Sequence, residues 1–252
     1  MSATPEAIAD AIAQATAARP IPLEGRALAS MSCGKTVFLV VMIGSQALDS
    51  DTFLDTALNW QPYILKAEFL AVEAPHDGRW FDLQHTDAEE RKAQIRSAAE
   101  TLDCFLDAIL AKRRLPPSNL ALVGFGEGAC LALEVGLRRP QPPAVIMAFS
   151  GAFTGTETLG TEIRSKPPVL LIHGDADEIV PYPSLAKTKE LLKAEGIEVK
   201  SMTRKGVGHA LDDDAVLVAG DYLTKILVKK PTEDDHDHDH GDHGHDDHDH
   251  AH

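Results

Sequence analysis

The eight residues Leu122-Val123-Gly124-Phe125-Gly126-Glu127-Gly128-Ala129 constrain this chain more than any other stretch. The apolar run Leu120 to Val123 predicts a buried strand, and Leu131 to Leu137 behind it predicts a helix. Three glycines fill the turn between them. A strand can meet a helix through so few residues only where larger side chains are kept out of the turn. The tip of that turn is Gly126, which has no side chain to present to a ligand or a substrate.

The rest of the chain supplies a sheet for this turn to sit on. Val37 to Ile43, Ala67 to Val72, Ala144 to Phe149 and Val169 to His173 are apolar runs of the kind expected of strands covered on both faces, and Glu198 to Thr203 predicts a last strand. Between them, Ala88 to Lys112 predicts a long helix with Ile95, Ala98, Leu102, Phe105 and Ile109 on its apolar face. Ser184 to Ala194 predicts a helix stopped by Gly196, and Ala215 to Val228 a closing helix. Residues 78–83 and 154–166 are expected as loops. Strands alternating with helices predict an α/β fold with a mostly parallel sheet and helices on both faces. Upstream, residues 1–35 are expected to hold a short Ala-rich helix over 4–18, with Ile8, Ile12 and Ala15 at helical spacing, and a linker over 19–35. The domain itself is expected over 36–230, with a separate tail over 231–252.

Charge and cysteine usage narrow the function classes. The net charge is −15, and nine acids with no Lys or Arg fall in residues 231–252, so the remainder carries −6. An acidic body argues against nucleic acid as a partner. Cys33, Cys104 and Cys130 are odd in number and far apart, which suggests a reducing compartment. Glu6 and Asp10 break the basic start that a secretory signal needs, and no apolar run approaches the ~20 residues of a membrane span. A soluble cytoplasmic protein is expected.

Five short tags, in order, carry a resemblance. They are Ala74-Pro75 with Arg79-Trp80-Phe81, Gly124-Phe125-x-x-Gly128, Phe149-Ser150-Gly151, His173-Gly174-x-x-Asp177-x-x-Val180-Pro181, and Gly208-His209. Together, over roughly residues 36–228, the chain resembles the phospholipase/carboxylesterase family of α/β-hydrolases, the group that includes acyl-protein thioesterases. The resemblance implies an α/β-hydrolase fold and acyl transfer to water through a Ser-His-Asp triad, without a cofactor, on an acyl ester or thioester. It places the base at His209, the carboxylate that orients it at Asp177, and the nucleophile at Gly126. A hydroxyl needs a base to become a nucleophile, and the base needs a carboxylate to fix its tautomer. Asp175 or Asp177 could instead cap a turn, and His173 is expected to pack and hydrogen-bond at a strand end.

The pattern departs from the family at two catalytic elements. Gly126 stands where the family has Ser, followed by Glu127 where it usually has Gln. After the first core strand, Ile43-Gly44-Ser45-Gln46 stands where the family has His-Gly opening an oxyanion loop. The backbone N–H groups of Glu127 and Ser45 are the candidate oxyanion donors. Among substitutes for the missing serine, Cys130 lies one helical turn past the tip and Ser150 ends another strand. Ser45 is the most plausible neighbour, on the oxyanion side.

The tail, DDHDHDHGDHGHDDHDHAH over 234–252, alternates His with Asp. Its composition cannot build a core and predicts disorder. His236, His238, His240, His243, His245, His248, His250 and His252 are candidate ligands for zinc, nickel or copper. Their spacing defines no single tetrahedral site, and a solvated acidic tail is the competing reading. Three functions stay open: a pseudoenzyme that keeps an acyl-ester pocket or binds a protein partner, an ester hydrolase with a non-standard site, and a metal-handling protein that works through its tail.

Overall fold

The computed structural model describes residues 23–154 and 159–228. The helix expected over 4–18 and the tail over 231–252 lie outside the described residues. The apolar runs form the strands β1 (Gly25–Leu28), β2 (Phe38–Ile43), β3 (Ala67–Val72), β4 (Leu120–Phe125), β5 (Val145–Phe149), β6 (Val169–Gly174) and β7 (Val199–Arg204). They make one sheet in the order β1-β3-β2-β4-β5-β6-β7. All neighbours are parallel except β1, which runs antiparallel to β3. Every residue of β3 through β6 is buried, as a sheet covered on both faces requires.

Six α-helices are described: α1 (Ser50–Thr56), α2 (Ala88–Arg113), α3 (Glu127–Arg138), α4 (Leu159–Glu162), α5 (Pro183–Ala194) and α6 (Asp213–Leu227). On one face of the sheet, Leu102 and Leu106 of α2, Leu133 of α3 and Leu192 of α5 pack on Leu39, Val41 and Leu122. On the other, Phe53 of α1 and Ala219 and Leu223 of α6 pack on Val40, Met42 and Val123. Asp49, Asp87 and Asp212 cap α1, α2 and α6 by accepting backbone N–H bonds.

Several sequence expectations are corrected here. The linker expected over 19–35 contains β1, whose Gly-Arg-Ala-Leu sequence is mostly exposed and shows no alternation; it is a strand because its backbone pairs with Val72 to Phe69. The loop over 154–166 contains the helical turn α4. The buried stripe of α2 continues through Leu106 and Leu110; Phe105 and Ile109, expected on it, pack only at its border. The helix behind the glycine turn starts at Glu127, immediately after Gly126.

Candidate active site

The site sits where four strands release their loops at one end of the sheet. Gly124 and Gly128 let β4 and α3 close on each other and on β2: a Cβ on Gly124 would run into the backbone of Gly128, and one on Gly128 into the backbone of Ile43. Gly126 between them holds φ 57° and ψ −117°, a left-handed conformation that L side chains rarely adopt. Its N–H donates to Phe149 O at 2.9 Å, which ties the tip to β5.

Asp177 and His209 arrive from the loops after β6 and β7. Those two loops are tied together: Ala176 N–H donates to Val207 O at 3.0 Å and Gly206 N–H to Asp175 Oδ1 at 2.6 Å. Asp177 is buried, and its Oδ1 accepts the N–H groups of Ile179 and Val180, both at 2.9 Å. His209 Nδ1 lies 2.9 Å from Asp177 Oδ2 and 3.1 Å from Oδ1. A carboxylate can only accept, so Nδ1 carries a proton, and in the neutral ring Nε2 presents the lone pair. The imidazole is braced by the Phe125 ring, with centroids 4.9 Å apart. A Cβ placed on Gly126 would stand 3.1 Å from His209 Nε2. The structure thus brings Gly126, Asp177 and His209 together in the arrangement read from the sequence, with no side chain at the tip for Nε2 to address.

Asp177 has a further neighbour in His173, expected from the sequence to pack and hydrogen-bond at a strand end. His173 Nε2 lies 3.3 Å from Asp177 Oδ2 and donates to Val180 O at 2.8 Å. Its other nitrogen is buried without a hydrogen-bond partner among the described residues. The His-Gly-x-x-Asp spacing is the signal that placed these two side chains near each other.

The oxyanion side is more altered. Ser45 is buried, and its N–H donates to Leu48 O at 2.9 Å. Its amide proton is therefore spent inside its own tight turn, and the oxyanion role expected for it does not fall on this group. The reason is local: Leu48 returns its own N–H to Ser45 O, closing a two-bond bridge over Gln46 and Ala47. The N–H of Glu127, first in α3, has no acceptor among the described residues. The Glu127 carboxyl accepts Trp80 N–H at 2.9 Å, and Trp80 Nε1 in turn donates to Gly44 O at 3.1 Å. Burial pushes the Glu127 carboxyl above the usual carboxylate range, against backbone hydrogen bonds from Trp80 and Phe81. The contact that fixes Glu127 had no sequence signal, because residues 78–83 show no periodicity.

Ser45, Gln46, Arg79, Asp82, Glu127, Ile179 and His209 line a cleft of about 340 Å³ at this point. The volume suits a small ligand, and polar groups converge on one wall. Cys130 does not serve the cleft: it is fully buried, and burial pushes its thiol up to about 12. Among the described residues no group of three or more His, Cys, Asp or Glu could hold a metal ion, and no helix is long and apolar enough to cross a membrane.

Comparison with known proteins follows this geometry. The sequence profile described as Phospholipase/Carboxylesterase matches residues 61–227. Acyl-protein thioesterase 1 homolog 1 of Dictyostelium discoideum is 23% identical over 154 residues, covering 60% of this chain and 68% of that protein. Esterase YpfH of Escherichia coli strain K12 is 25% identical over 175 residues, covering 64% and 72%. The crystal structure of esterase PE8 superposes with a TM-score of 0.77 at 35% identity, covering 82% of this chain and 100% of that one.

Proposed function

The chain belongs to the phospholipase/carboxylesterase family and has its α/β-hydrolase fold, and we propose that it binds acyl esters or thioesters in the cleft beside Gly126 while being impaired in their hydrolysis. One observation carries this reading. The hydrogen-bonded pair Asp177–His209 ends in an Nε2 that faces a glycine, 3.1 Å from where a Cβ would stand. Acyl transfer in this fold starts by moving a proton from a hydroxyl at the tip of the turn to that nitrogen, and Gly126 has none. The spent N–H of Ser45 and the acid at Glu127 weaken oxyanion stabilisation as well, and removing one oxyanion donor costs about 10²–10³ in rate. The cleft itself is formed, so binding survives the loss of a hydroxyl at position 126. The reaction needs no cofactor, and the free Cys33, Cys104 and Cys130 support the reducing cytoplasm as its place.

Two measurements test the proposal. Ligand-observed NMR with ethyl butyrate should show saturable binding by the full chain. Steady-state hydrolysis of p-nitrophenyl butyrate should be slow, at a measurable residual rate that Gly126→Ser exceeds. Fast turnover that survives His209→Ala would reject the role given to the Asp177–His209 pair, and absence of binding would reject the cleft. The competing metal-handling reading rests on the eight histidines of the tail alone; it is tested separately, by metal titration of the full chain and of a chain ending at Lys230.

A further inference from the structure

We propose that Ser45 is the nucleophile of this cleft, attacking a bound acyl ester with His209 as its base; this rests on the reading that the cleft takes acyl esters. Ser45 follows β2 on the loop that faces the glycine turn, and its side chain lines the cleft with His209. A Cβ on Gly126 would stand 3.1 Å from Ser45 Oγ and 3.1 Å from His209 Nε2. The hydroxyl and the imidazole nitrogen therefore share one neighbouring point and are no more than twice that distance apart. A side chain on Gly126 would crowd both of them; glycine leaves that space free.

The surroundings of Ser45 suit the role. Its loop is fixed by the two backbone bonds to Leu48, so the Cβ is held in place while the hydroxyl rotates between staggered positions. Oγ accepts the N–H of Ala47 at 3.2 Å, a contact that favours the oxygen as it gains negative charge. Its own proton has no acceptor among the described residues, so it is available to Nε2. The bare N–H of Glu127 at the start of α3 supplies a donor for the developing oxyanion.

The chemistry balances without a co-reactant beyond water. The Ser45 O–H bond breaks as Oγ bonds the acyl carbon, and the proton passes to His209 Nε2, with Asp177 holding Nδ1–H. The tetrahedral intermediate collapses, the C–O or C–S bond of the ester breaks, and the leaving alkoxide or thiolate takes the proton from Nε2. Acyl-Ser45 remains, and a water deprotonated by the same nitrogen releases the acid. Because apo distances between nucleophile and base are often long and tighten with substrate bound, the absence of a direct Ser45–His209 hydrogen bond is compatible with this route.

The full-length protein is incubated with a fluorophosphonate probe, digested and mapped by mass spectrometry. The expected result is slow, stoichiometric phosphonylation at Ser45, lost in His209→Ala. Ser45→Ala should lower the residual hydrolysis of p-nitrophenyl butyrate by at least about tenfold, the scale of losing a nucleophile in a weak site. Ser45→Cys keeps a nucleophilic atom there and should trap a butyryl thioester detectable by intact mass. A folded wild type that is not labelled, or is labelled only elsewhere, overturns the proposal. So does hydrolysis that is unchanged by Ser45→Ala but lost in His209→Ala, the pattern of a water activated directly by the imidazole. Ethyl butyrate binding separates the two levels. Binding without labelling removes Ser45 as nucleophile, whereas no binding removes the reading of the cleft on which it rests.

Discussion

At Gly126 the backbone already has φ 57°, so the turn is built whether or not a side chain is present. Gly126→Ser would place its Cβ 3.1 Å from both His209 Nε2 and Ser45 Oγ. Both neighbours are side-chain ends that can give by a few tenths of an ångström, so the variant should fold, with about 1–3 kcal/mol of backbone strain. It should raise hydrolysis of p-nitrophenyl butyrate by more than about tenfold, worth ~1.4 kcal/mol of barrier. A folded Gly126→Ser protein no faster than the wild type would show that the altered oxyanion side is itself limiting. Glu127 gives a second residue-scale outcome. Because burial raises its carboxyl, the folded protein holds that proton more tightly than the unfolded chain does. That contribution to stability is fully present below the ordinary carboxylate pKa and is lost as pH rises through the raised value. Gln at 127 keeps an acceptor for Trp80 N–H without the charge. Glu127→Gln should therefore raise Tm at pH 7 by about 1–3 °C, with the gain vanishing near pH 4. An equal Tm difference at both pH values would contradict the burial argument.

The elements hold the site by backbone closeness and a few buried charges. Glu68 on β3 is buried, and Arg113 at the end of α2 grips it with Nε to Oε2 at 2.8 Å and Nη2 to Oε1 at 2.6 Å. Arg113→Ala leaves that carboxylate without its partner and should cost about 2–3 kcal/mol in urea unfolding. Arg113→Ala with Glu68→Gln should recover part of the loss; no recovery would mean that Arg113 acts through packing alone. This pair was not legible in the sequence, because 45 positions separate its members. What was legible had periodicity or order. The buried strands are continuous apolar runs, and Gly126, Asp177 and His209 follow β4, β6 and β7 in triad order. What was missed had neither. β1 is a mostly exposed edge strand defined by its pairing, and α1 buries only Phe53 and Leu54, its one signal being the Asp49 cap. Likewise the hydrogen bonds that spend the Ser45 N–H and fix the Glu127 carboxyl arise in loops 44–48 and 78–83, where the partner is set by how the chain folds back and not by spacing.

Across the whole molecule, charge and core are divided. The described core closes at Leu227 on α6, and residues 231–252 beyond it hold nine acids, eight histidines and no Lys or Arg. Neutral imidazole beside carboxylate is a ligand set for zinc, nickel or copper, but alternation without a fixed spacing supplies many weak sites and no single strong one. Calorimetric titration of the full chain with zinc at pH 7.5 should therefore show several ions bound weakly, and a chain ending at Lys230 should bind none of them. Binding should fall away below about pH 6, because imidazole must be neutral to ligate and its unperturbed pKa is ~6.5. Since residues 231–252 carry no apolar side chain larger than Pro231 and Ala251, removing them should change stability by less than about 0.5 kcal/mol in the absence of metal. For the same reason a chelator should leave ethyl butyrate binding in the cleft unchanged. Equal zinc heats for the two chains would end the metal reading and leave the tail as solubilising charge. A tail-dependent change in ester binding would instead couple the two ends of the molecule, and the cleft could then no longer be treated as independent of residues 231–252.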